Sequence, residues 1–228
     1  MDLMKYMLPR PPLEITPQMA AACERQLAAL EAGEADYFLE YPKWQFLACI
    51  AETRPVVFHG TRLRSLAVVE PRQSNDVQAF GAQNAIYATD DAIWALFFAI
   101  LDRPRMPMSL TNAAVRLRLP GGELSQPYYF FSITRQALEQ GAFCDGAVYI
   151  LPRETFEHDP VQKYGGYEIE VPQWASRQPA AALARLAVAP GDFPFLAQVR
   201  GHDDDVQQER IRRDPEGFPW INEQVDEV

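Results

Sequence analysis

The 228-residue chain has no long apolar run. Its longest, Ala92 to Leu101, is ten residues, and a membrane-crossing helix needs about 20. No transmembrane span is expected. Met1 to Pro12 carries basic residues with no apolar stretch or small-residue cleavage pattern behind them, so no secretory leader is read and a cytoplasmic protein is expected. Cysteine is scarce. Cys23, Cys49 and Cys144 are odd in number, far apart and set among Ala, Leu, Ile and Phe, which reads as buried thiols of a reducing compartment rather than a disulfide framework or zinc site. Positive charge is in deficit, with 21 Lys and Arg against 31 Asp and Glu and a net charge of −10. An acidic surface opposes at long range the phosphate neutralisation that drives undirected nucleic-acid binding. There is no Walker loop or dinucleotide-binding glycine fingerprint. Neither Ser132 nor Ser176 sits in a nucleophile elbow, so a Ser-His-Asp hydrolase has no sequence support.

What is present fits a folded globule. Apolar residues are 48% and charged residues 23% of the chain, near the globular average, and the length suits one domain, at most two. Thr16 and Pro17 form an N-cap and first-turn pair for a helix with Met19, Cys23, Leu27 and Leu30 on one face, and Gly33 as its stop. A second helix, Pro42 to Glu52, is apolar on several sides. No linker-like run follows, so residues 1–53 are expected to be a helical extension of the same domain. Short strands are then expected at Pro55 to Phe58, Ala85 to Ala88, Ala113 to Leu119, Tyr128 to Ser132, Gly146 to Leu151, Tyr167 to Val171 and Leu183 to Val188. Helices are expected from Asp91 to Asp102, capped through Thr89, Asp90 and Asp91, and from Thr134 to Gln140. This irregular order argues for an α+β fold rather than a doubly wound parallel sheet. Residues 54–190 are the expected core and 191–228 a tail that Phe218 and Trp220 tie to the core or that frays.

Two features carry chemistry, and both lie where a strand runs out. In His59-Gly60-Thr61 an imidazole can project into a cleft, a glycine lets a ligand approach the backbone and a threonine adds a hydroxyl. At Tyr87 a ring can stack on a planar heterocycle. Taken singly, His59 also reads as a hydrogen-bonded structural histidine and Tyr87 as core. His202-Asp203-Asp204-Asp205 offers oxygens to a divalent ion, but consecutive residues cannot all face one ion, so the run reads as a solvated turn and no metal site is expected.

The order of short motifs is more specific. His59-Gly60-Thr61 after a strand is followed by a polar loop with Ser74-Asn75, by Ile86-Tyr87-Ala88-Thr89 and by a helix with Ala92-Ile93-Trp94. Downstream come Val148-Tyr149-Ile150-Leu151-Pro152, Phe156-Glu157-His158-Asp159-Pro160 and Trp174-Ala175-Ser176-Arg177-Gln178-Pro179. This series resembles the ADP-ribosyltransferase superfamily, in the branch with His and Tyr in the NAD pocket, and its second half is similar to rifampin ADP-ribosyltransferases. The resemblance covers about Arg54 to Val188, with gaps. The segments before Arg54, from Arg103 to Arg135 and after Ala189 have no counterpart in the compact rifampin enzymes.

The resemblance implies a split pair of small antiparallel sheets clasping NAD as co-substrate. It implies that His59 bonds the adenosine-side ribose hydroxyl, that Gly60 holds the nicotinamide amide through its backbone with Thr61 on the same edge, and that Tyr87 stacks on the nicotinamide ring. Arg62, Arg64 and Arg72 are candidates for the pyrophosphate, since guanidinium pairs well with phosphate; their other reading is a solvated loop. Cleaving the nicotinamide bond builds an oxocarbenium-like ribose that a carboxylate stabilises. Three positions compete for that place. The rifampin-enzyme match points to Asp159, the poly(ADP-ribose) polymerase pattern to Glu170 with Glu168 on the same face, and the register nearest Trp174-Ala175-Ser176 to Gln173, which has no carboxylate.

The implied function is NAD-dependent mono-ADP-ribosyl transfer to a small-molecule or protein acceptor, or to water, which would make the protein an NAD glycohydrolase. The other reading is a non-catalytic module that senses NAD or binds a partner. An RNA 2'-phosphotransferase, which shares the superfamily fold, would need basic residues around the pocket; net charge −10 and Tyr87 count against it.

Overall fold

The computed structural model describes residues 6–34, 36–74, 80–164 and 166–213. The expectations placed on Asn75, Phe218 and Trp220 lie outside these residues. In chain order the elements are β1 (Leu8–Pro9), α1 (Pro17–Glu31), α2 (Lys43–Thr53), β2 (Val56–Thr61), β3 (Val68–Val69), β4 (Arg72–Gln73), β5 (Asn84–Thr89) and α3 (Ala92–Ala99). Then follow β6 (Leu110–Leu117), β7 (Tyr128–Thr134), α4 (Arg135–Glu139), β8 (Gly146–Pro152), β9 (Glu157–His158), β10 (Gln162–Tyr164) and β11 (Tyr167–Glu170). β12 (Gln173–Ser176), β13 (Ala180–Ala181), β14 (Ala184–Val188), β15 (Arg200–His202) and α5 (Asp204–Arg213) complete the described chain.

The helix signals act as their chemistry dictates. Thr16 Oγ1 accepts the Met19 N–H at 3.2 Å, and Pro17 stands in the first turn, where a missing N–H leaves no bond unmade. Met19, Cys23, Leu27 and Leu30 are buried, and Gly33, at φ +87°, ends the helix. α2 buries Trp44, Phe46, Leu47, Cys49 and Ile50 because α1 and α3 both pack against it. α3 begins at Asp91, whose Oδ1 accepts the Trp94 N–H at 2.8 Å. It ends before Asp102, because Leu101 bridges to Phe143 and the Asp102 N–H bonds to the Ala142 carbonyl.

Helices and antiparallel sheets make the fold α+β. The larger sheet has the order β14-β8-β2-β5-β12-β9, with β4 also on β5. The second has the order β1-β7-β6-β11-β10, with β15 running parallel along β7, and β13 pairs with β3 apart from both. α3 lies between the two large sheets. On one side its backbone rests on Gly60 of β2 and Gly146 of β8, where any Cβ would overlap the Ala95 or Ala99 carbonyl oxygen. On the other, Trp94 Nε1 donates to Asn112 Oδ1 of β6 at 2.6 Å, and Tyr129 of β7 donates its hydroxyl to Asp91 Oδ2 at 2.7 Å.

The segment after Asp192 joins this core through Phe193, Phe195 and Val199, and α5 beyond it buries only Gln207. Phe193 packs edge-on against Phe131 with ring centroids 5.0 Å apart, Phe195 lies 5.5 Å from Tyr129, and both are buried. No helix among the described residues is long and apolar enough to cross a membrane.

Candidate functional site

The larger sheet consists of two antiparallel ladders that meet at one point. β2 pairs with β8 over its whole length, from Val56↔Pro152 to Thr61↔Ala147. β5 pairs with β12 from Ile86↔Ser176 to Thr89↔Gln173. Between β2 and β5 the register holds only Phe58↔Thr89. Beyond that pair no further rung joins β2 to β5, and the end of the sheet this leaves, the fork, carries His59, Gly60 and Thr61 on β2 and Tyr87 on β5.

His59 helps to hold the fork in place. Its Nδ1 lies 2.8 Å from the Tyr87 carbonyl oxygen, in place of a further backbone rung. A carbonyl only accepts, so Nδ1 carries the proton and Nε2 keeps the lone pair of the neutral ring. Burial, the largest influence, and the nearby Arg72 charge push the His59 pKa below its ordinary value, against the opposing pull of the Tyr87 carbonyl. The ring is therefore neutral at pH 7, with an acceptor at Nε2. Across the ladder from His59 stands Tyr149, whose hydroxyl donates to the Leu63 carbonyl at 2.8 Å and accepts the Leu66 N–H at 2.9 Å, fixing the loop that leaves Thr61.

Tyr87 is half-buried. Its hydroxyl accepts the Gln83 N–H at 2.8 Å and donates to the Phe80 carbonyl at 3.0 Å, so the ring is pinned from its far end. Gln83 is held in turn by Arg177 Nη2, which donates to its Oε1 at 2.8 Å. Tyr149, Gln83 and Arg177 carry no role in the sequence pattern. Tyr149 and Arg177 take their part through contacts with segments distant in sequence, and Gln83 through a contact four residues along the chain.

The arginines divide. Arg62 reaches Asp102 at 4.0 Å and Arg64 reaches Asp145 at 3.8 Å, whereas Arg72 is the one whose charge is felt at His59. Thr61 Oγ1 accepts the Leu63 N–H at 3.2 Å.

The three candidates for the carboxylate position also separate. Gln173 sits on β12 directly opposite Thr89, in the row that closes the fork. Asp159 lies one position further out: its N–H donates to the Gln173 carbonyl at 2.9 Å, its carboxylate accepts from Gln162 Nε2 at 3.1 Å, and it is buried. At the usual strand spacing its backbone is about 10 Å from that of Thr89. Glu170 belongs to the second sheet, opposite Arg116 on β6, and its carboxylate pairs with Arg118 at 3.7 Å. Glu168 meets the same arginine at 3.5 Å. The structure thus brings Gln173 and Asp159 into the row that closes the fork and commits Glu170 elsewhere.

A recess of mixed lining lies at the start of α3, beside Thr89, whose Oγ1 accepts the Asp91 N–H at 2.9 Å. Arg10, Glu52, Asp90, Asp91, Arg116 and Tyr129 line it, and its interior has room for about one water molecule. Burial raises the Asp91 pKa above its ordinary value, although Tyr129 and the Trp94 N–H both favour the carboxylate. Among the described residues no group of three or more His, Cys, Asp or Glu is arranged to hold a metal ion. Compared with protein-family models, with curated proteins and with solved structures, the chain finds no match.

Proposed function

We propose that this protein is an NAD-dependent mono-ADP-ribosyltransferase, cleaving the nicotinamide N-glycosidic bond and passing ADP-ribose to a small-molecule or protein acceptor. One observation carries the reading: the larger sheet forks at Phe58↔Thr89, between His59-Gly60-Thr61 and Tyr87. The motif resemblance implies a split pair of small antiparallel sheets clasping NAD, and a break in pairing between these two motifs supports that reading. In the fork, neutral His59 offers Nε2 to a ribose hydroxyl. The edge of β2 that β5 leaves unpaired offers Gly60 to the carboxamide, and the Tyr87 ring is held rigidly enough to stack on nicotinamide.

The chemistry asked of the site is modest. The C1'–N bond breaks, nicotinamide leaves as a neutral molecule, and the oxocarbenium-like ribose is stabilised by negative charge until an acceptor oxygen adds and gives up its proton. Of the two carboxylates that the resemblance offers, Asp159 is the nearer to the closing row of the fork and takes that role. Water as acceptor would make the protein an NAD glycohydrolase.

Gln173 favours a second reading. It stands next to β5 with an amide in place of a carboxylate, and a fork closed by an amide binds NAD without cleaving it. Nicotinamide release from NAD, measured with and without cell extract beside Tyr87→Ala, separates the readings. Extract-dependent release indicates a transferase and extract-independent release a glycohydrolase. A melting shift with NAD but no release indicates a sensor, and the absence of both removes the NAD reading.

A further inference from the structure

His202-Asp203-Asp204-Asp205 is not the solvated turn that its composition suggests. β15 lays His202 along β7 opposite Thr134, and the imidazole is fully covered, with 0% side-chain exposure. Gly201 allows this approach, since a Cβ there would press on the Arg135 backbone at 3.0 Å. Both ring nitrogens are engaged: Nδ1 lies 2.6 Å from Ser132 Oγ on β7, and Nε2 lies 2.7 Å from Ser109 Oγ, just before β6. Asp204, in the first turn of α5, brings Oδ1 within 2.6 Å of the same Ser109 oxygen and accepts from Thr134 Oγ1 at 2.8 and 3.0 Å. Ser132 is buried and Ser109 is exposed.

We propose that Ser109 is a nucleophilic serine, polarised by His202 and Asp204, that takes acyl groups from activated esters. The geometry has the parts that such a residue needs: a reachable hydroxyl, a base at hydrogen-bond distance and a group that orients the base. When Nδ1–H donates to Ser132, and Ser132 donates onward to the Arg200 carbonyl at 3.2 Å, the Nε2 lone pair receives the Ser109 proton. When Nε2 is protonated instead, Ser109 donates to Asp204. Either way its proton has a base within 2.7 Å. Burial, the largest influence, holds the His202 pKa below its ordinary value against the charges of Asp204 and Asp203, while Arg135 acts with burial, so the ring is a free base at pH 7.

The step balances without a further reactant. Ser109 Oγ adds to the ester carbonyl carbon, the hydroxyl proton passes to His202 Nε2, the ester C–O bond breaks and the departing alcohol takes that proton. The acyl group stays on Ser109 as an ester. Ser132 touches no substrate and is a positioning residue. Nothing in this cluster involves the His59 fork.

The test treats the full-length protein separately with p-nitrophenyl acetate and with a fluorophosphonate, and locates adducts by peptide mass spectrometry. One adduct is expected, on Ser109, absent from Ser109→Ala and formed faster as pH rises through the His202 titration. His202→Gln should slow it about 10²-fold. Since a buried substitution can unfold the site, Asp204→Asn, at a partly exposed side chain, is the second variant; by removing a charge that favours protonated His202 it should shift the pH profile of labelling and not only its amplitude. No adduct on Ser109 in folded protein, or one no faster than on other exposed serines, overturns the proposal. A rate independent of pH overturns it as well.

Discussion

Gly60 of β2 and Ala95 of α3 touch through their backbones, so that a Cβ on Gly60 would occupy the space of the Ala95 carbonyl oxygen. Gly146 of β8 stands in the same relation to Ala99. The sequence motif gives Gly60 a ligand-facing role, yet the helix itself already requires a glycine there. Gly60→Ala and Gly146→Ala should each cost about 3 kcal/mol, because a rigid backbone cannot yield to an added methyl. Gly191→Ala, with nothing within 4 Å of the new atom, should cost far less. Urea melts of the three variants check this. Equal stability of Gly60→Ala and wild type would show that α3 does not rest on β2, and the fork would then have lost its floor.

Asp91 joins α3 to the second sheet, with one oxygen on the Trp94 N–H and the other on the Tyr129 hydroxyl. Asp91→Ala leaves two buried donors unpaired and should cost about 3 kcal/mol. Asp91→Asn keeps an acceptor and should cost much less. The Asp91 pKa is raised in the folded state, so its contribution is complete below the unfolded value of 3.8 and is lost as pH rises through the folded value. Asp91→Asn, which does not titrate, should therefore gain on wild type as pH climbs from 4 toward 7. Denaturation midpoints of the two proteins across that range test the sign.

Local signals were legible where one segment contained its own explanation. The Thr16-Pro17 cap, the stripe from Met19 to Leu30, the Asp91 cap and the alternation of Val115 and Leu117 with Arg116 in β6 are each readable from neighbouring residues. β9, β12 and β15 were not, because strands of two to four residues exist only through their partners: Trp174 is in a strand because Ala88 and His158 flank it. The candidate site followed the same rule. His59 and Tyr87 stood out as strand ends, but the single rung at Phe58↔Thr89 is a property of two strands at once. Likewise Glu170 alternated onto a plausible face, yet the sheet it joins is decided by Arg116 and Arg118.

His202, buried, and His59, half-buried, set an acid limit on stability. The pKa values of His59 and His202 are both lowered in the folded state, chiefly by burial. The unfolded chain then binds protons more readily, so the stabilisation is complete above the ordinary value of 6.5 and is lost as pH falls toward the folded values. Asp91 titrates in the opposite sense over part of this range, so the histidine contribution is read as a difference from His59→Gln combined with His202→Gln, which keeps Asp91. The urea midpoint of wild type relative to that variant should be level from pH 8 to 7 and fall between pH 6.5 and 5. A difference that stays constant down to pH 5 would contradict both assignments.

The carboxylate of the fork is decided by comparing Asp159, Glu170 and Gln173. Asp159 borders the row Phe58-Thr89-Gln173, so Asp159→Asn should lower kcat for nicotinamide release about 10²-fold and leave KM for NAD nearly unchanged, as when charge stabilisation is lost only in the transition state. Glu170→Gln removes a partner of Arg118 on the other sheet and should leave turnover close to wild type. Gln173→Glu puts a carboxylate one strand nearer β5, and in the Asp159→Asn background it should restore part of the lost rate. Loss of turnover in Glu170→Gln with intact folding would move the acid to the second sheet and refute the row as the catalytic line. If wild type releases no nicotinamide and Gln173→Glu does, the amide is what keeps the site silent, and binding rather than cleavage is the function of the fork.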